Sequence, residues 1–198
     1  MSDSKLEEYK KRRDFRSTGE PSGEGGSGSA ENPLFVIQKH DASSLHYDFR
    51  IEVDGVLKSW AVPKGPSTDP REKRLAMPTE DHPLEYGDFE GVIPEDEYGG
   101  GTVLIWDRGT YENLKEDDEG KSVAVGKCLE EGHVTIYIRG EKLTGGYALI
   151  RTDKGKNERW LLVKLDDDQA DARRNPVSTE PLSVVSGRDL QKIAEEEE

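Results

Sequence analysis

The chain has 198 residues, 32% of them hydrophobic, and sets 28 Lys and Arg against 42 Asp and Glu for a net charge of −14. That length suits one domain with tails; no apolar run can span a bilayer, Met1-Ser2-Asp3-Ser4-Lys5 is no signal peptide, and the lone Cys128 excludes an internal disulfide, so a cytoplasmic protein is expected. The acidity argues against extended non-specific binding to duplex nucleic acid, and leaves an enzyme acting at a strand terminus or a protein brought there by a partner.

In chain order, Leu6 to Phe15 has helical spacing around the basic cluster Lys10-Lys11-Arg12-Arg13, and Pro21 to Ser29 reads as flexible linker. Residues 1–30 thus form a leader, 31–165 the domain, and 166–198 an acidic tail. Within the domain, short apolar or alternating runs predict strands at 34–39, 46–53, 56–62, 102–107, 133–138, 146–152 and 159–165. Asp54-Gly55 is a two-residue hairpin signal, and Asp107-Arg108-Gly109, Gly140 to Gly146 and Asp153 to Asn157 mark further turns. Many short strands without long helical patterns predict an antiparallel sandwich or barrel. The stretch 63–101, rich in Pro, Gly and charge, reads as one long connection that is functional or mobile. In the tail, Ser186 to Ala194 has helical spacing that presents Leu190, Ile193 and Ala194. A solvated tail is nonetheless the favoured reading, with Glu195 to Glu198 disordered.

The chemistry concentrates between residues 38 and 50. Side chains alternate along a strand, so His46, Asp48 and Arg50 share one face while Tyr47, Phe49 and Ile51 take the other. Gln38 and His40 share a face of the preceding extended segment, and the short loop from Asp41 to Leu45 brings His40 back over His46. Two imidazoles and a carboxylate leave open positions on a metal, and Arg50 adds a planar fork suited to phosphate. The long connection supplies Lys64, Arg74, Glu80, His82 and Tyr86, with His82 held extended by Pro83. Three other readings fit parts of the pattern. The polar face is then merely hydrogen-bonded, the barrel binds phosphorylated ends without turnover, or His46, Asp48 and His133, with Arg139, form the facial triad of a non-haem iron oxygenase.

The chain resembles the 3′-phosphoesterase module of bacterial DNA ligase D, which also occurs as free-standing bacterial and archaeal proteins. The resemblance rests on Gln38-Lys39-His40 with His46-Tyr47-Asp48-Phe49-Arg50, on Trp60-Ala61-Val62-Pro63-Lys64-Gly65, and on Glu80-Asp81-His82-Pro83-Leu84-Glu85-Tyr86. Phe89-Glu90-Gly91, Tyr98-Gly99-Gly100-Gly101 and Trp160-Leu161-Leu162-Val163-Lys164 continue it. It implies a compact antiparallel β-barrel with long functional loops and short flanking helices. The implied enzyme heals 3′ ends of DNA or RNA in end joining: it removes a terminal ribonucleoside as a phosphodiesterase, then the 3′-phosphate as a phosphomonoesterase, with Mn2+ as cofactor. By that resemblance His40, His46 and Asp48 match the metal ligands, and Arg50, His82 and Tyr86 match groups around the scissile phosphate. Gln38, Lys64, Arg74 and Glu80 match supporting positions, and Arg13, Asp14 and Glu20 match leader residues used for activity. A ligase, a polymerase or a Ku protein is the implied partner.

Overall fold

Alternation along the strands sorts the apolar residues to one face and so builds a curved sheet with a filled interior. The computed structural model describes residues 2–25, 28 and 31–197. Its strands are β1 (Leu34–Asp41), β2 (Leu45–Val53), β3 (Val56–Val62), β4 (Lys73–His82), β5 (Gly91–Ile93), β6 (Gly101–Asn113), β7 (His133–Gly140), β8 (Thr144–Asp153) and β9 (Arg159–Lys164). Short helices flank them: α1 (Ser2–Lys5), α2 (Glu7–Lys11), α3 (Val125–Glu131), α4 (Pro176–Thr179) and α5 (Leu190–Glu197). All pairings are antiparallel in the order β1-β2-β3-β4-β9-β8-β7-β6, and β1 pairs back onto β6, which closes an eight-stranded barrel with β5 added beside β6. Closure removes the sheet edges that would otherwise invite pairing with another chain.

Two cores result. Inward residues Phe35, Ile37, Phe49, Ile51, Trp106 and Ile136 are among those that fill the barrel. A smaller cluster lies outside the wall, where Val36, Leu57 and Ile105 point outward and are roofed by Tyr9 of the leader with Leu84 and Tyr86. Asp54 and Gly55 take the left-handed conformation that a two-residue hairpin between β2 and β3 requires.

Several sequence expectations are corrected. The stretch 63–101 is not one loop: it contains β4, a 3-10 turn at Leu84–Asp88 and β5. β4 escapes the apolar pattern because it pairs with β9 through Lys73 to Ala76 and with β3 from Met77 onward, while Leu75, Met77 and Pro78 remain exposed. Asp107-Arg108-Gly109 is no turn but the middle of β6, beside a register shift at Ile37/Gln38. There the Asp107 carboxylate accepts from the backbone N–H groups of Arg108, Glu141, Lys142 and Leu143. Helix α3 has no counterpart among the expected elements; it ends on Gly132 with φ 81°, a left-handed C-cap that glycine supplies without strain.

The tail and the leader are corrected as well. Val184 donates to the Ile105 carbonyl, Ile193 of α5 is fully buried against the barrel core, and Glu195 to Glu197 are helical rather than disordered. Glu198, and Gly26, Ser27 and Ser29 of the expected linker, lie outside the described residues. The leader helix is split in two and ends at Lys11 instead of Phe15, with Tyr9 fully buried. Among the described residues no helix is long and apolar enough to cross a membrane.

Candidate metal and anion site

The β1–β2 hairpin fixes the site by register. His40 stands opposite His46, Gln38 opposite Asp48, and Val36 opposite Arg50, so Gln38, His40, His46, Asp48 and Arg50 share the outer face. Asp48 Oδ2 is 3.5 Å from His40 Nδ1 and 3.4 Å from His46 Nε2. Ligand atoms of these three residues all lie within 4.8 Å of one another.

The tautomers follow from the carbonyls that face the other ring nitrogens. His40 Nε2 lies 2.8 Å from the Gly99 carbonyl and His46 Nδ1 lies 3.0 Å from that of Ser44. A carbonyl can only accept, so those nitrogens carry the protons. The remaining lone pairs, on His40 Nδ1 and His46 Nε2, converge on the Asp48 carboxylate. Three electron-pair donors facing one point repel unless a cation sits between them, and backbone anchoring of the outer nitrogen is how ligating imidazoles are oriented. Two nitrogens and an oxygen suit a first-row divalent ion, and the residues therefore fit a metal. Burial raises the Asp48 carboxyl, but the Arg50 guanidinium beside it is the largest opposing influence, and the carboxyl stays well below the usual carboxylate range.

Arg50 is buried and held on three sides. Its Nε donates to Gln38 Oε1 at 2.7 Å, its Nη2 lies 3.3 Å from Asp48 Oδ2, and its guanidinium sits 4.9 Å from the centre of the Tyr86 ring. Gln38 is itself fixed, donating from Nε2 to the carbonyls of Tyr86 and Phe89. His82, at the end of β4, has Nδ1 2.8 Å from the Glu80 carbonyl and 3.1 Å from Arg50 Nη1, and its Nε2 faces Arg13 Nη2 at 3.4 Å. Burial, then Arg50 and Arg13, push His82 well below the ordinary histidine value, so the ring is neutral at pH 7.

The leader completes the wall. Arg13 Nε donates to Glu20 at 2.9 Å, its Nη1 donates to Glu80 at 3.1 Å, and its guanidinium lies 3.9 Å from the centre of the Tyr9 ring. Glu20 also accepts from the Tyr86 hydroxyl at 3.0 Å and from Thr18. The resulting pocket, about 210 Å³, is lined by Arg13, His40, His46, Arg50, His82 and Tyr86 among others. Asp14 does not reach it. Its side chain pairs with Arg16 at 2.7 Å, and its carbonyl accepts from Ser17 and Thr18 in the turn that leads to Glu20.

Lys64 and Arg74 stand beyond the His46 end of the sheet. Lys64 is exposed, and its carbonyl accepts from Arg74 Nη1 at 3.2 Å. Arg74 pairs with Glu72, and its Nε is buried without a partner. His133 is exposed on β7, three strands from β2 through β1 and β6, so His46, Asp48 and His133 do not form a triad. Three contributors escape sequence reasoning: Tyr9, whose ring packs 5.1 Å from His82; Tyr98, which accepts from Arg12 at 2.5 Å on the rim; and the Gly99 carbonyl. The triple glycine after Tyr98 is their one sequence signal.

Fold and pocket together define a closed antiparallel barrel whose outer wall carries a candidate divalent-metal centre beside an arginine clamp. Residues 38–151 match the family described as the DNA Ligase D 3′-phosphoesterase domain. The chain is 50% identical over 189 residues, 93% of its length, to the multifunctional non-homologous end joining protein LigD of Pseudomonas aeruginosa. It is 43% identical over 83% of its length to the multifunctional non-homologous end joining DNA repair protein LigD of Mycobacterium tuberculosis, and 43% over 92% to the LigD of Mycolicibacterium smegmatis. The chain belongs to the DNA ligase D 3′-phosphoesterase domain family. It spans 20–23% of the length of these relatives.

Proposed function

We propose that the protein is a metal-dependent phosphoesterase that heals 3′ ends of DNA or RNA for repair. It removes a 3′-terminal ribonucleoside and then the 3′-phosphate, leaving a 3′-hydroxyl for a separate ligase or polymerase, or for an assembly with a Ku protein, in a prokaryotic cytoplasm. The observation that carries this reading is the juxtaposition, in one pocket, of three converging metal donors and a buried arginine fork only two residues along the same strand. Family membership supports the reaction class.

His40, His46 and Asp48 would hold Mn2+ or another divalent ion, which when bound supplies Lewis acidity toward a phosphate oxygen. Arg50, preset by Gln38 and Asp48, neutralises the charge that builds on the phosphoryl oxygens without having to reorganise. Arg13 adds a second buried guanidinium, with Glu20 and Glu80 holding it in place. His82 enters neutral, so it serves first as the ring that packs between Arg50 and Arg13. For it to protonate the leaving oxygen, the incoming phosphate must raise it. In the diester reaction the site positions an adjacent ribose 2′-hydroxyl, which accounts for a terminal ribonucleotide requirement. Lys64 and Arg74 stand where a strand leaving the pocket past His46 would pass.

The test is Mn2+-dependent release of phosphate from a 3′-phosphorylated oligonucleotide, together with loss of the last nucleoside from a ribonucleotide-tailed primer. Wild type performs both. Arg50→Lys keeps a charge but cannot bond Gln38 and Asp48 with one planar group, so it loses turnover by about a hundredfold or more. His133→Ala stays active. Failure of wild type on both substrates with any divalent metal contradicts the proposal.

A further inference from the structure

The barrel wall beside the pocket carries an exposed surface that the chemistry above does not use. Strand pairing places Asp48, Ala61 and Met77 in one row across β2, β3 and β4, and Arg50, Ser59 and Thr79 in the next. Thr79 lines the metal and anion pocket, while its neighbours Met77 and Pro78 line a separate groove of about 650 Å³ toward β9. Leu75 and Met77, two residues apart and so on the same side of β4, are 39% and 44% exposed. Lys156 and Arg159 form the other bank of this groove, and Lys73 lies one alternation before Leu75. None of these three cations has a carboxylate partner among the described residues. The nearby acids are engaged: Glu158 with Trp160 Nε1 and Arg151, and Glu72 with Arg74.

We propose that this groove is the docking track for the nucleic-acid strand that leads into the pocket. The inference rests on the phosphoesterase reading for the direction of the strand, and on the groove's own chemistry for its occupant. Apolar side chains between free cations match a strand that offers base faces between phosphates. On a chain of net charge −14, a cluster of unpaired Lys and Arg leading off an anion pocket selects a polyanion over an acidic protein surface of general kind. Met77 is two strands from Asp48, about 10 Å at the usual strand spacing. That is the rise of roughly three stacked nucleotides at ~3.4 Å each. The terminal phosphate can therefore sit in the pocket while the preceding bases lie along Met77 and Leu75.

The experiment compares the full chain's affinity for two 5′-fluorescent, 3′-phosphorylated single strands, a dinucleotide and a twelve-nucleotide oligomer, by anisotropy over a range of salt, with turnover of both measured in parallel. Wild type is expected to bind the longer strand about tenfold more tightly. Met77→Ser should remove most of that gain and Met77→Leu should keep it. Lys156→Ala with Arg159→Ala should flatten the plot of log K against log salt by roughly 0.7 for each phosphate no longer neutralised. All variants should turn over the dinucleotide as wild type does, since the altered side chains are outside the pocket and exposed. Equal affinity of wild type for both lengths, or unchanged affinity and salt slope in the variants, overturns the track and leaves the phosphoesterase reading intact. Absence of wild-type turnover on either strand removes the phosphoesterase reading instead, while length-dependent binding still decides the track.

Discussion

His82 shows how far neighbours can move one side chain from its ordinary behaviour. A free imidazole titrates near pH 6.5, but here burial and two guanidiniums hold the ring neutral well below that value. Between its folded and unfolded pKa values the unfolded chain takes up a proton that the folded chain refuses. The stability this group contributes is therefore fully present above about pH 6.5 and is lost as pH falls toward the folded value. His46, whose pKa Asp48 raises against the effect of burial, works in the opposite sense. The His82 contribution must then be read as a difference. Melting temperatures of wild type and His82→Gln, measured between pH 5 and 7.5 without added metal, should show the wild type losing its relative advantage as the solution becomes acidic. A constant difference across that range would mean that folding leaves the His82 pKa unshifted, and an advantage that grows with acidity would mean that folding raises it.

Among the elements, the hairpins are legible in the sequence and the coverings are not. The β1–β2 hairpin and the Asp54-Gly55 turn are local. Period-two alternation and a left-handed turn dipeptide specify them without reference to the rest of the chain, and with them comes the shared face of His40, His46, Asp48 and Arg50. β4 is hidden because exposed Leu75, Met77 and Pro78, mixed with charge, give no inward period to read. The docking of helix α5 is hidden, although its helical spacing is not, because Ile193 and Leu190 seat on a barrel whose strands are distant in sequence. The leader is hidden for the same reason. Arg13 and Glu20 meet Glu80 and Tyr86 across more than sixty residues, and only the family resemblance singles them out. Tyr9 roofs the outer core with Leu57 and Tyr86, so deleting residues 1–30 strips that roof and leaves Glu80 without Arg13. The shortened chain should keep the barrel, whose own core begins at Phe35, and still bind metal. It should melt at a clearly lower temperature and lose most diesterase activity. Unimpaired turnover of a ribonucleotide-tailed primer by the shortened protein would reduce the leader to a tether.

For the whole molecule, the closed ring of eight strands gives a rigid wall, and the functional groups are laid on the outside of it instead of inside. The wall fixes the hairpin register, the register aligns the metal donors with Arg50, and the leader and the 83–99 region close over them. Such a site can be reached by the end of a long polymer, which an interior cavity of this barrel, filled by Trp106, Phe49 and Ile136, could not admit. The central claim is that one divalent ion is held by His40, His46 and Asp48. Isothermal titration of Mn2+ into wild type and into His40→Ala, His46→Ala, Asp48→Ala and His133→Ala tests it most directly. The account predicts one site per chain, lost or weakened by at least a hundredfold in each of the first three variants and unchanged in His133→Ala. Wild-type affinity in any of the first three, or loss of binding in His133→Ala, would contradict it.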